Sequence, residues 1–145
     1  MIAGDRLFAL LALHAAVTCY MVGVIWFVEL VHYPLFDAVG TAGFAHYARA
    51  HARRTTWVVA GPMLVELLTA VGVVVWLGGP LAWTGLALVG LVWLSTVRWQ
   101  VPAHGRLAGG FDAVAHRRLV RTNWVRTLAW SLRGFVAVAL LVGPR

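Results

Sequence analysis

Between Leu7 and Val28 the chain carries no charged residue, and its apolar character continues to Val31. A helix needs about 20 such residues to cross the ~30 Å hydrocarbon layer of a bilayer. A cleaved signal peptide has an apolar core of only about 7–15 residues ending in small residues, and this run is too long for one. The composition repeats the message, because 61% of the residues are hydrophobic and 12% charged. A soluble domain of 145 residues has no core large enough to hide that much apolar surface.

Three further spans come after it. The second covers residues 57–77 and is interrupted only by Glu66. Gly78-Gly79-Pro80 then makes a tight turn into a third, 81–99. The fourth, 124–142, holds Arg126 near its start and Arg133 inside, and ends at Gly143-Pro144. With the first span at 7–31, closed where Pro34 disfavours helix at Tyr33, the chain is expected to be an all-α, single-domain integral membrane bundle of four helices. Trp57, Trp99 and Trp124 mark one set of helix ends and Trp76 and Trp83 the other, as suits a side chain that favours both headgroup layers.

The formal charge of +7 is carried by arginines that punctuate apolar runs. A nucleic-acid partner, which needs a basic face on a soluble body, is therefore excluded. Arg49, Arg53, Arg54, Arg98, Arg106, Arg117, Arg118, Arg121 and Arg126 belong to two long connections, 34–56 and 101–123, or their flanks, whereas Arg6 and Arg145 lie opposite. The positive-inside rule puts the connections in the cytoplasm and both termini outside a cell membrane crossed several times. Each connection is expected to hold a short interfacial helix; in the second, Phe111, Val114, Ala115 and Leu119 share one face and Asp112 and His116 another. The lone Cys19 allows neither an intramolecular disulfide nor a cysteine metal cluster.

A shift of 67 residues aligns the two halves of the chain. Gly43-Phe44 then matches Gly110-Phe111, and Arg54-Thr55-Thr56-Trp57-Val58 matches Arg121-Thr122-Asn123-Trp124-Val125. Duplication of a helical hairpin predicts a pseudo-twofold axis along the membrane normal. The same shift superposes Glu66 on Arg133, each nine residues past a tryptophan, so both are expected at similar depth and paired. A lone charge at that depth costs ~2.5–3.5 kcal/mol. The pair is either a structural brace or a binding element in a polar cavity.

Five histidines, His32, His46, His51, His104 and His116, gather at the connection end. Glu29 and His32, three apart, share a helix face. Glu-x-x-His is one part of a di-iron pattern that needs a second copy, and the repeat position offers Thr96 and Trp99 instead. A single transition metal on Glu29, His32 and one of His46, His51 or His104 stays open as the candidate cofactor, since imidazole and carboxylate suit Fe, Cu or Zn. The rival reading is histidine resting at an interface with its ring apolar and its tip polar. No Gly-rich phosphate loop and no Gly-x-Ser-x-Gly elbow is present.

The stretch Val101-Pro102-Ala103-His104-Gly105-Arg106-Leu107, followed by Thr122-Asn123-Trp124-Val125-Arg126-Thr127, resembles the anthrone-oxygenase-like family of small four-helix membrane proteins. That family carries Val-Pro-x-Asn-x-x-Leu after its third helix and opens its fourth with Trp-Asn-x-x-Arg-Thr. Pro102, Leu107, Asn123, Arg126 and Thr127 match, while His104 stands where the family more often has asparagine. The resemblance covers roughly the last third of the chain. It implies the four-helix fold and an oxidation of polycyclic aromatic anthrones, as in fungal members.

The functional expectation is an oxidoreductase-like membrane protein acting on a small apolar or aromatic molecule in a cytoplasm-side pocket. His104 would be the base, and Asn123 and Arg126 would stabilise an oxyanion. The alternative is a non-enzymatic carrier or accessory subunit, which a polar track past Glu66 and Arg133 would favour. A homo-oligomer is compatible with either.

Overall fold

The computed structural model describes residues 2–143; Pro144 and Arg145, named above at the end of the fourth span and among the arginines, lie outside the described residues. Four long helices carry the fold: α1 (Ile2–Phe27), α2 (Thr41–Leu77), α3 (Gly79–Ser95) and, after the short α4 (Val101–Leu107), α5 (Ala113–Val142). No strand occurs among the described residues. α1 packs against α2 and α5, and α3 packs against the same two. This closes a ring in which α2 and α5, running in the same direction, face each other across the diagonal. The end carrying residues 28–40 and 96–112 is termed the loop end, and the end with the Gly78–Gly79 corner the terminal end. That corner needs φ values of 59° and 76°, which only glycine adopts without strain.

The bundle is apolar outside and holds buried polar groups within its apolar core. Trp57 and Phe135 are 83% and 76% exposed, whereas Glu66 and Arg133 are 2% and 1% exposed. Four helical runs, Gly4–Ala38, Thr41–Leu77, Gly79–Leu107 and Ala113–Val142, are long and apolar enough to cross a membrane.

Two expectations about the connections are corrected. α2 runs without a break from Thr41, so the first connection holds, apart from α2 itself, a short 3-10 turn at Pro34–Ala38 rather than an interfacial α-helix. Residues 41–56 contain five alanines and three arginines and no proline, so good helix formers carry the helix past the apolar stretch. In the same way α5 starts at Ala113 and absorbs the second expected short helix. Asp112, expected on a face with His116, instead caps α5 by accepting from the N–H groups of Val114 and Ala115 at 2.8 and 3.0 Å. Those backbone bonds, Ala115's foremost, hold its carboxyl below the usual carboxylate range.

Pro34 does not turn the chain out of helix at Tyr33, which keeps helical dihedrals of −68° and −40°. Instead α1 widens into a π-helical turn, Val28–His32, closed by the Tyr33 N–H donating to the Val28 carbonyl at 2.9 Å. Pro34 then opens a 3-10 turn to Ala38. The same sequence of events ends α3, where a π-helical turn at Thr96–Gln100 precedes Pro102 in α4. Proline has no N–H and its ring crowds the carbonyl four residues back. Widening the preceding turn relieves that crowding without leaving the helix.

Candidate functional site

In the terminal half of the bundle, Glu66 on α2 meets Arg133 on α5 across the diagonal. Arg133 Nε donates to Glu66 Oε1 at 3.0 Å, and Trp130 Nε1 donates to Oε2 at 2.9 Å. Arg133 Nη2 donates to Thr18 Oγ1 at 3.4 Å, and Nη1 donates to the Gly85 carbonyl. Nearby, the Thr69 hydroxyl donates to the Val65 carbonyl at 2.8 Å and meets His14 Nδ1 at 2.9 Å. Its single proton is thereby used, so His14 Nδ1 is the donor in that second contact. The expected pairing of Glu66 with Arg133 is therefore present in the geometry, with every charged atom engaged.

The loop half is organised differently. On α5, Asn123, Thr127 and Trp130 fall on one stripe at spacings of four and three residues, with Arg126 beside them. The π-helical turn of α1 aims Glu29, 3% exposed, at that stripe. Glu29 Oε2 accepts from Asn123 Nδ2 at 2.7 Å and from Thr127 Oγ1 at 3.4 Å. Asn123 Oδ1 in turn accepts from Arg126 Nη1 at 3.3 Å. The Arg126 guanidinium lies 5.0 Å above the Trp130 ring and beside the Tyr33 hydroxyl, yet its buried Nε has no partner.

A cavity of about 450 Å³ opens in front of Arg126. Tyr33, Arg49, His51, Gln100, His104 and the threonines Thr55, Thr56 and Thr96 supply its other polar lining, and Met21, Ile25 and Met63 are among its apolar lining. Tyr33 Oη and His104 Nε2 are 3.0 Å apart, which ties the first half of the chain to the residue just past α3. Gln100 Nε2 donates to Thr122 Oγ1 at 3.0 Å, while its buried Oε1 has no donor. Behind Tyr33, His116 holds the backbone still, with Nε2 at 2.8 Å from the Tyr33 carbonyl and Nδ1 at 3.0 Å from Asp37 Oδ1.

A second cavity, about 530 Å³, lies between α1 and α2 and is almost wholly apolar apart from His32, His51, Arg54 and Thr55. Val24, Val28, His51 and Thr55 border both cavities. His32 Nε2 sits 2.6 Å from His51 Nδ1, and the Thr55 hydroxyl reaches the same nitrogen at 3.1 Å. Two imidazoles this close share one proton, so they cannot both be doubly protonated. His51 Nε2 is buried without a partner.

Of the residues singled out in the sequence, His104 and Arg126 line the first cavity. Asn123 stands behind it as the bridge from Glu29 to Arg126. Glu29 and His32 do not act together: one faces α5 and the other pairs with His51. Among the described residues no group of three His, Cys, Asp or Glu side chains converges as a metal site. Glu66 and Arg133 line neither cavity. Tyr33 and Gln100 were not anticipated, because each sits in a π-helical turn or at its end, and π-register cannot be read from a 3.6-residue period.

Among known proteins, no family model matches the chain, and no curated protein or solved structure matches it either.

Proposed function

We propose that this chain is a multi-pass membrane protein that takes a small apolar, aromatic molecule into the loop-end cavity and oxidises it in the manner of an oxygenase. The observation that carries the reading is one pocket in which Arg126, Tyr33 and His104 stand together beside the apolar side chains of Met21, Ile25 and Met63. Polar groups that converge beside apolar side chains in one concavity are the usual make-up of a small-molecule site. Within it, His104 accepts a proton from the substrate. Arg126, held by Asn123, steadies the electron-rich oxyanion that results, and dioxygen is the oxidant. The resemblance to the anthrone-oxygenase-like family supports this choice of chemistry.

The arginine-rich loop end faces the cytoplasm on this reading, with both termini outside. A duplicated hairpin draws support from the two π-helical turns, Val28–His32 and Thr96–Gln100, each followed two residues later by proline, which recur 68 residues apart, one more than the shift of 67 that aligns the sequence. A carrier would need a polar route through the terminal half, and there the side chains of Glu66 and Arg133 are spent on each other and on Trp130, Thr18 and Gly85.

The test is oxygen uptake by the purified protein in nanodiscs supplied with anthrone. One dioxygen should be consumed for each anthraquinone and water formed, above the rate in empty nanodiscs. His104→Ala and Arg126→Gln should each lower the rate by about 100-fold or more, the range of a lost general base or oxyanion donor. Probe binding without turnover in the wild-type protein would replace the enzyme reading with the carrier.

A further inference from the structure

α5 carries two buried arginines seven residues apart, and the bundle treats them unequally. Arg133 has a carboxylate in direct contact, Glu66 Oε1 at 3.0 Å. Arg126, 7% exposed, has none within ion-pair distance among the described residues. The acceptors it reaches are neutral, the amide oxygen of Asn123 and the hydroxyl oxygen of Tyr33. Glu29, the carboxylate of this network, turns its Oε2 to Asn123 and Thr127 on the far side of that amide. Guanidinium stays charged in proteins, and burying it without an anion is unfavourable. Its unpartnered Nε and its place on the cavity wall leave one source for the missing charge, which is the ligand.

We infer that the loop-end cavity binds an apolar molecule bearing a single negatively charged oxygen acid, with the acid group on Arg126 and the apolar body over Met21, Ile25 and Met63. Tyr33 and His104, which share one proton between Oη and Nε2, stand beside the acid position. The planar fork of arginine matches a carboxylate better than a point charge would. A cavity of about 450 Å³ takes one such molecule. Two sources share this chemistry: an aromatic acid and a fatty acid drawn from the bilayer. The inference rests on the cavity being a ligand site, as proposed above, but requires no turnover.

The experiment compares acids with their uncharged amides by calorimetry on the protein in nanodiscs, with empty nanodiscs as the baseline. The pairs are 2-naphthoate with 2-naphthamide, and dodecanoate with dodecanamide. At least one acid should bind about tenfold more tightly than its amide, as one charge-assisted contact provides. The pair with the larger preference identifies the source. Arg126→Gln should bring that preference close to unity. Equal binding of acid and amide in both pairs, or a preference that survives Arg126→Gln, overturns the inference. Should that variant not fold, wild-type protein with 15N-labelled arginine decides. A buried Nε–H signal, absent from Arg126→Lys, must shift with the acid and not with the amide; no such shift overturns it too. Absence of oxygen uptake would sink the oxidation alone, and absence of acid preference would sink this inference alone.

Discussion

Arg133 is surrounded by a carboxylate, a hydroxyl and a carbonyl, and Glu66 by a guanidinium and an indole N–H. Removing either partner strands the other in a closed, apolar bundle. Glu66→Gln and Arg133→Gln should each lower stability by about 3–5 kcal/mol, whereas joint replacement by leucine and methionine should cost less than either. Thermal unfolding of the three variants in one detergent checks the order; a double variant worse than both singles contradicts it. At the other end of α5, Asp112 stabilises its cap as a carboxylate, and its pKa is depressed from 3.8 by the Ala115 and then the Val114 N–H. That contribution is present above the unfolded value and is lost as pH falls through the folded one. Hydrogen exchange in the first turn of α5 should therefore speed up on acidification in the wild type and be pH-independent in Asp112→Asn, after correction for intrinsic rates. The Glu66–Arg133 meeting was legible in the sequence because depth comes from counting residues along a helix. The Tyr33–His104 contact was not, since it joins residues 71 apart through two irregular turns.

At the scale of elements, each of the two proline-driven π-helical turns sets the rotation of the segment immediately C-terminal to it. Each residue in a helix turns the chain by about 100°. Deleting Val97 should return the second turn to α-register and swing His104 off the cavity wall, while the long helices keep their packing. The expected outcome is loss of oxygen uptake, with acid binding on Arg126 retained and a thermal midpoint close to the wild type. Retained uptake would show that the turn does not position His104. Gly134 offers a complementary test, since a Cβ there would come within 3.3 Å of Val22 Cγ2. Gly134→Leu should force α5 from α1 and cost about 1–3 kcal/mol, read by thermal unfolding. Hydropathy located all four helices, and the spans it marks from Trp57 and Trp124 begin well inside α2 and α5. It reports where lipid-compatible residues begin, whereas the helix itself begins at Gly40 and at the Asp112 cap.

At the scale of the molecule, the bundle is hollow at the loop end and braced at the terminal end. On the proposed orientation a reporter fused after the last residue should be active outside the cytoplasm; cytoplasmic activity would invert the assignment. The brace also bears on how the protein is made. Glu66 leaves the ribosome 67 residues ahead of Arg133, an interval of several seconds at about 5–20 residues per second. Throughout it, a half-built chain holds an acid with no partner. α5, with two arginines in its own apolar stretch, is a poor candidate for entering the bilayer unaided. The waiting carboxylate gives it a reason to enter. On the membrane reading proposed above, the last helix is recruited by the second, and a chain cut short before α5 would expose to the cell's quality-control proteases the flaw that the finished protein conceals.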